Sequence, residues 1–225
     1  MTRPLLSLKG IKKAYGNPGE TAPVFQDLDL DLQRGELTCL LGPSGSGKST
    51  IISLIAGLMN PDEGRVLFDG QDLADLTDND RARLRATRIG VVLQSGNLVP
   101  FLTAAENVAM AARLSGVGAS AARVNSLLKD VGMADRSGHL PRRLSGGEAQ
   151  RVALAVALVH EPDLLLADEA VGQLDSQTAQ LVLDTVDSAR RKRGLAILLV
   201  THNSAVAAIG SRTVELVGGR LEAIS

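Results

Sequence analysis

Alternating and continuous apolar runs along the chain predict a mixed α/β protein. The segments 5–9 and 24–32 alternate apolar and polar residues, as strands with one buried face do. The run 163–169 is almost continuously apolar, which is typical of a central strand in a parallel sheet. Further strands are predicted at 36–41, 65–68, 89–93 and 195–201 and, as a hairpin, at 213–217 and 220–222.

The middle third of the chain has a helical pattern with few strand signals. Thr103 and Glu106 form a capping box there, ahead of an apolar stretch. We therefore expect one domain, 1–225, with an α/β core of about 1–94 and 160–225 and an inserted helical subdomain of about 95–159. Helices are predicted at 50–58, 103–112, 119–131, 144–160 and 176–193.

Composition fits one globular domain and disfavours nucleic acid as a partner. The chain has 225 residues, 44% of them hydrophobic, and a net charge of -1 from 24 basic and 25 acidic residues. This balance leaves no basic footprint for a phosphate backbone, so we predict no nucleic-acid partner. The single cysteine, Cys39, lies in an apolar strand, which favours a core position over a redox role.

The hydrophobic pattern does not predict a membrane-spanning or secretory segment. The longest apolar runs, such as 152–159 and 195–200, are far shorter than the roughly 18 residues that a spanning helix needs. The apolar part of 1–9 is too short for a secretory signal. We therefore expect the protein in the cytoplasm.

One stretch fills the phosphate-binding pattern G-x-x-x-x-G-K-[ST] at every specified position: Gly42, Pro43, Ser44, Gly45, Ser46, Gly47, Lys48 and Ser49. It stands between a predicted strand and a predicted helix that begins at Thr50, which is the context that this motif requires. The glycines let backbone N–H groups wrap a polyphosphate, and the helix adds its positive N-terminal end. Lys48 supplies a charge for the β- and γ-phosphates, and the Ser49 hydroxyl is placed to ligate Mg²⁺. The pattern therefore predicts ATP and Mg²⁺ as ligands.

Polar residues end several predicted strands, at the edge where α/β sheets bind ligands. Asp168 and Glu169 close the run 163–169, where buried carboxylates are costly unless they serve a metal or a reaction. In that position Asp168 would hold Mg²⁺ and Glu169 would polarise the attacking water. Gln94 follows the strand 89–93, and His202 follows the strand 195–201, where it is placed to contact a γ-phosphate.

Three further stretches have two interpretations each. Tyr15, in an expected loop, either stacks on a purine ring or packs locally. Ser145, Gly146 and Gly147 open a helix, where free N–H groups form either a second anion site or an ordinary cap. The basic run 81–88 predicts a solvated helix face, with a phosphate or partner contact as the alternative.

Taken in order, these motifs resemble the ATP-binding subunit of ABC (ATP-binding cassette) transporters over essentially the whole chain. The motifs are the phosphate loop, Gln94, the Leu-Ser-Gly-Gly-Glu of 144–148, the Leu-Leu-Leu-Ala-Asp-Glu of 164–169 and His202. The stretch 144–148 is the most specific, because other P-loop enzymes lack it. The resemblance implies a P-loop NTPase fold, with a RecA-like α/β core, an antiparallel β-subdomain and the helical subdomain.

The resemblance also implies residue roles. It makes Tyr15 the adenine-stacking aromatic and Asp175 the aspartate of the D-loop. Gln94 becomes the glutamine that links the lobes and meets the metal, and His202 becomes the switch histidine. Together with Lys48 and Glu169, Gln94 and His202 make up the implied catalytic set.

Two cassettes of this family sandwich two ATP molecules head to tail. The resemblance therefore implies a second cassette as partner, expected as a homodimer, in which Ser145 and Gly147 of one chain cap the nucleotide held by Lys48 of the other. The segments 94–100 and 169–175 look most like the branch that contains lipoprotein-release, macrolide-export and cell-division cassettes.

This chain departs from that branch next to the catalytic glutamate. Members usually carry Pro-Thr after that glutamate and Asn before Leu-Asp, whereas this chain has Ala170, Val171 and Gln173. These substitutions leave every catalytic position intact. They change the D-loop and the surface that it offers to the partner.

The resemblance implies an ATPase on the inner face of the membrane that powers a separate membrane-spanning permease, in export or in extraction of lipoproteins or lipids. The alternative is a mechanical role, in which the same ATP cycle pulls on a membrane complex that regulates cell-wall enzymes without transport. ABC ATPases that act on DNA or ribosomes usually carry a long coiled-coil insertion or two cassettes in one chain, and this sequence shows neither pattern. A small-molecule kinase would leave 144–148 unexplained.

Overall fold

The computed structural model describes residues 3–16, 22–168, 176–202 and 210–224, with the side chains of the third range from 183 onward. Two predicted site residues, Glu169 and Asp175, lie outside the described residues. The substituted positions Ala170, Val171 and Gln173 lie outside them as well.

Groups of strands and helices follow one another along the described part of the chain. Ten strands are present there: β1 (Leu6–Tyr15), β2 (Ala22–Leu32), β3 (Leu37–Leu41), β4 (Glu63–Phe68), β5 (Gln71–Asp72), β6 (Ile89–Val92), β7 (Leu164–Asp168), β8 (Ala196–Val200), β9 (Arg212–Val217) and β10 (Arg220–Ala223). The α-helices are α1 (Lys48–Ile55), α2 (Asp78–Arg88), α3 (Ala104–Leu114), α4 (Ala121–Asp130), α5 (Gly146–Leu158) and α6 (Ser176–Arg193). None of the helices described is long and apolar enough to cross a membrane.

The strands form two sheets. The smaller sheet has the order β2-β1-β4-β5 and is antiparallel throughout. The larger has the order β10-β9-β3-β8-β7-β6, in which the five strands from β9 to β6 are parallel and β10 pairs antiparallel with β9. An antiparallel β-subdomain beside a parallel α/β core is the arrangement that the resemblance implied.

The larger sheet separates two hydrophobic cores. Residues 164 and 166 of β7 pack with β1, β2 and α1, whereas residues 165 and 167 pack with α3, α4 and α5. All five residues of β7 are buried, which explains its uninterrupted apolar run. Cys39 of β3 lies in the helical core, and burial raises the pKa of its thiol to about 11. The core prediction for this cysteine is confirmed.

Capping boxes fix the starts of two helices in the segment between β6 and β7. At α3, Thr103 Oγ1 accepts a hydrogen bond from the Glu106 N–H (3.2 Å), and Glu106 Oε2 accepts one from the Thr103 N–H (2.8 Å). The predicted capping box is therefore confirmed. A second box starts α5, and α3 and α4 both pack against that helix.

The basic run 81–88 forms α2, and the interpretation of α2 as a solvated face is wrong for part of it. Arg85 Nη1 donates to the carbonyl oxygens of 56–57 at the end of α1, at 3.2 and 3.1 Å. Arg88 pairs with Asp69 at 2.9 Å and with Asp163 at 2.5 Å. These two arginines join α2 to its neighbours together with Leu84, which is partly buried and packs against the core.

Candidate nucleotide-binding site

The carboxyl ends of parallel strands meet at one edge of the larger sheet, and predicted site residues follow four of them. The phosphate loop follows β3, Gln94 follows β6, Asp168 ends β7, and His202 follows β8. This is the edge at which open α/β sheets bind ligands. A cavity of about 310 Å³ at this edge is lined by Ser44, Gly45, Gly47, Lys48, Ser49, Thr50, Gln94, Asp168 and His202.

The phosphate loop enters α1 through a left-handed glycine. Gly47 is the N-cap residue, with φ of 105°, and no side chain caps the helix there. The first N–H groups of α1 therefore have no side-chain acceptor at this end. With the helix dipole, they form a site for an anionic group at the floor of the cavity.

The lining of the cavity decides whether the loop fits a phosphate. Gly47, Lys48 and Ser49 all line it, so the start of α1, which no side chain caps, and the buried Lys48 ammonium border the same space. Ser46 does not line the cavity, and its buried Oγ, which has no hydrogen-bond partner among the described residues, is not assigned to the ligand. The residues that line the cavity fit a polyphosphate, because they combine a positive charge with a helix N-terminus.

Lys48 and Ser49 place a cation and a hydroxyl beside a carboxylate. The Lys48 side chain is buried, and its Nζ donates to the carbonyl oxygens of Gly42 (2.7 Å) and Pro43 (2.8 Å), so the ammonium lies within the loop. Ser49 Oγ donates to Asp168 Oδ2 at 3.0 Å, and Asp168 is only 9% exposed. Hydroxyl and carboxylate oxygens are the ligands that Mg²⁺ prefers, so this pair fits the metal that accompanies ATP.

Tyr15 lies in a strand, and the prediction of a loop there was wrong. β1 continues past Lys9 through register shifts and pairs Tyr15 with Ala22 of β2. The Tyr15 side chain is 46% exposed, and its hydroxyl lies 3.4 Å from Thr50 Oγ1. The ring therefore stands beside the first turn of α1 with room for a ligand on its open side. Its role in stacking stays a prediction.

Asp62 holds the end of β1 that carries this tyrosine, and the sequence reasoning missed it. Asp62 Oδ1 accepts from Lys13 Nζ (2.6 Å), and Oδ2 accepts from the Ala14 N–H (2.8 Å). These hydrogen bonds, that of Lys13 foremost, hold the pKa of the Asp62 carboxyl below its usual range. The available signal was an acidic residue in the turn 60–64, which predicted only a turn.

Ser145 starts α5 as an ordinary cap. Its Oγ accepts from the Glu148 N–H (3.2 Å), and Glu148 Oε2 accepts from the Ser145 N–H (2.8 Å). This N–H, with the positive charge of Arg136 as a smaller contribution, lowers the pKa of the Glu148 carboxyl. The Ser145 side chain is exposed, and its hydroxyl also donates to the Glu148 carboxylate. The backbone N–H groups of the first turn of α5 are therefore what this helix start offers to an anion.

The stretch 145–147 does not line the cavity that Lys48 lines. Within the described part of one chain, the phosphate loop and the start of α5 thus lie apart, and the role of 145–147 as a second anion site stays a prediction. Another cavity, of about 350 Å³, lies between α4, the end of α5 and α6, and it contains none of the predicted site residues. It lies away from the carboxyl ends of the parallel strands, so we assign no nucleotide to it.

Comparison with known proteins identifies similar chains. The family model described as ABC transporter matches residues 25–172. The lipoprotein-releasing system ATP-binding protein LolD 1 of Caulobacter vibrioides is 43% identical over 96% of this chain and 94% of its own. The ABC transporter ATP-binding protein YtrE of Bacillus subtilis is 40% identical, over 89% of this chain and 87% of its own.

Solved structures of similar chains include a nucleotide complex. The ATP-binding cassette MJ0796, a dimer in a post-hydrolysis state bound to ADP and Pi, superposes with a TM-score of 0.91 at 34% identity, covering 98% of this chain and 99% of that one. A bacterial Atm1-family ABC exporter with ATP bound gives 0.83 at 33% identity, covering 97% of this chain and 38% of that one. The predicted fold class is confirmed by these superpositions.

Proposed function

Since the chain belongs to the ABC transporter family, we propose that it binds Mg-ATP in the cavity at the phosphate loop, and that hydrolysis there drives a separate membrane-spanning subunit. The observation that carries this proposal is the 3.0 Å contact of Ser49 Oγ with Asp168 Oδ2 beside the buried Lys48. An ammonium, a hydroxyl and a carboxylate are thereby combined at a helix N-terminus, as phosphoryl transfer from a nucleotide requires.

Different residues around the cavity would bind the phosphates and the metal ion. Lys48 and the first N–H groups of α1 hold the β- and γ-phosphates. Ser49 and Asp168 would hold Mg²⁺ together with Gln94, which lines the same cavity. When bound, Mg²⁺ neutralises the charge of the phosphates and polarises the γ-phosphoryl group.

Two residues are proposed to act on the attacking water and the transferred group. Glu169 directly follows the end of β7, where its carboxylate would orient the water and accept its proton. His202 lines the same cavity and is exposed, so it is placed to meet the γ-phosphate from the carboxyl end of β8. Tyr15 would stack on the adenine beyond Thr50.

A second copy of the chain would complete each site. We place Ser145, Gly146 and Gly147 of one chain over the nucleotide held by the other, with Asp175 at the interface. The separation of 145–147 from the cavity within one chain supports this arrangement, because the second anion-binding feature needs a ligand from elsewhere. The dimeric MJ0796 cassette supports it by its similarity to this chain.

The membrane partner would dock on the segment that follows Gln94 and on the helical subdomain, which we place at about 95–159. Phe101 is 76% exposed in this segment. The buried Asn107 of α3 holds the loop around it, since its Oδ1 accepts from the Val99 N–H (2.8 Å) and its Nδ2 donates to the Leu102 carbonyl (3.0 Å). A large apolar side chain on a fixed loop is suited to fill a pocket in another protein.

Through this partner the protein would sit peripherally on the inner face of the cell membrane. The name of the Caulobacter relative includes lipoprotein release. By extension, we propose that the membrane partner of this chain exports its substrate or extracts a lipoprotein or lipid from the membrane. Substrate choice would lie in the membrane-spanning subunit.

A pair of serine variants in α1 tests the proposed metal site. Ser49→Ala should lower Mg-dependent ATP hydrolysis by at least about tenfold and raise the Mg²⁺ concentration needed, because it removes a hydroxyl ligand. Ser53→Ala is the matched control, since Ser53 Oγ only donates to the Ser49 carbonyl (2.9 Å) within the helix. If both variants show the wild-type Mg²⁺ dependence, the assignment of Ser49 is wrong.

A further inference from the structure

The backbone just before Gln94 is held by a side chain of its own loop. The Leu93 N–H donates to Asn97 Oδ1 (2.7 Å), and the Leu93 carbonyl oxygen accepts from Asn97 Nδ2 (2.6 Å). The Asn97 amide thus pairs with both backbone groups of Leu93, as a neighbouring strand would. Gly96, with φ of 75°, provides the tight turn that brings Asn97 back to Leu93.

A further hydrogen bond reaches the same carbonyl from α5. Gln150 Nε2 donates to the Leu93 oxygen at 3.3 Å, across 57 positions of sequence. Gln150 lies near the start of α5, and the capping box of Ser145 keeps that end of the helix intact. The Gln150 amide therefore links the first turns of α5 to the backbone that presents Gln94.

We propose that Gln150 is a positioning residue for Gln94, acting through the Leu93 carbonyl, so that engagement of Ser145 with one nucleotide sets Gln94 at the other. This inference rests on the proposed function, in which Ser145 serves the partner's nucleotide and Gln94 serves the nucleotide of its own chain. In the dimer, one end of α5 and its link to Leu93 then connect the two ATP sites.

The hydrogen bond of Gln150 with the Leu93 carbonyl contributes little to the stability of the fold. The hydrogen bond is exposed and long, whereas α5 is anchored by buried residues such as Val152 and Leu154. Loss of the Gln150 amide leaves that apolar packing unchanged. A change in catalysis without a change in stability is therefore the signature of the positioning role.

The rate of ATP hydrolysis by the chain 1–225 is measured as a function of ATP concentration. Calorimetry gives the nucleotide affinity, and thermal unfolding gives the midpoint temperature of each variant. Gln150→Ala should lower kcat about fivefold, the effect of losing one hydrogen bond, and bring the Hill coefficient towards one. ATP affinity and thermal midpoint should equal those of the wild type. Gln150→Lys restores a donor and should recover kcat, and Gln26→Ala, an exposed glutamine in β2, should behave as wild type.

Asn97→Ala removes the other side-chain hydrogen bond to the Leu93 carbonyl. It should reproduce the loss of kcat at unchanged ATP affinity. Wild-type kinetics in both Gln150→Ala and Asn97→Ala would overturn the proposal. So would a loss of kcat that is matched by weaker ATP binding or a lower thermal midpoint, because that is a structural effect. Gln94→Ala distinguishes failure of the proposed function from failure of the Gln150 link. If Gln94→Ala hydrolyses ATP at the wild-type rate, the proposed function of Gln94 is wrong. If Gln94→Ala is impaired while Gln150→Ala and Asn97→Ala are not, only the Gln150 link is wrong.

Discussion

Replacing Gly47 with alanine should destabilise the protein through its backbone and through a steric clash. Gly47 has φ of 105°, where an L side chain costs about 1–2 kcal/mol. A Cβ atom there would lie 2.6 Å from Val24 Cγ1 and 2.9 Å from Phe25 Cε1. Phe25 is buried in the core and has no room to retreat, so overpacking adds about 1–3 kcal/mol. We expect Gly47→Ala to lose about 2–5 kcal/mol of unfolding free energy.

Gly45→Ala is the matched control for this prediction. Gly45 also has a positive φ, of 79°, but no atom lies within 4 Å of the Cβ position, so only the backbone cost of about 1 kcal/mol applies. Urea unfolding without nucleotide, followed by circular dichroism, measures both variants. Adding Val24→Ala to Gly47→Ala should recover part of the loss. Equal midpoints for Gly47→Ala and Gly45→Ala would refute the argument that β2 packs against this glycine.

Three further outcomes follow from single contacts. Tyr15→Ala should weaken ATP, ADP and AMP alike by roughly 1 kcal/mol in calorimetry, and unchanged ADP affinity would rule out stacking. Arg88→Ala should lower the unfolding free energy by about 1–2 kcal/mol, with Arg83→Ala on the same helix as the control. Arg88 holds the pKa of the Asp69 carboxyl below its usual value, so this stability is present at neutral pH and is lost as the pH falls through the folded-state pKa; a difference that persists in acid would contradict this. Phe101→Asp should keep ATP hydrolysis and abolish co-sedimentation with membranes that contain the co-expressed partner.

The fold was predictable where each element carries its own signal. β7 is buried on both faces, so its apolar run predicted the strand directly. The capping box of Thr103 and Glu106 predicted the start of α3. The end of β1 was missed, because its register shifts break the alternation of apolar and polar residues that indicates a strand.

The candidate site was predictable to the extent that its residues follow strands. The phosphate loop, Gln94, Asp168 and His202 all come directly after buried runs, and the structure places them around one cavity. The contacts that support them join distant parts of the sequence, as Asp62 does with Lys13 and Gln150 with Leu93. A single sequence contains no pattern that pairs such residues, so only the folded chain reveals them.

In the proposed mechanism, ATP is hydrolysed between two copies of this chain, held by Lys48 of one and Ser145 of the other. Light scattering on purified Glu169→Gln with saturating Mg-ATP or Mg-ADP tests it most directly. Loss of the proton acceptor should slow hydrolysis by about 10²–10⁴-fold while binding survives. We expect a dimer with ATP, a monomer with ADP, and no dimer when Ser145→Arg is added. A Glu169→Gln protein that stays monomeric at saturating ATP, or that hydrolyses ATP at the wild-type rate, would contradict it.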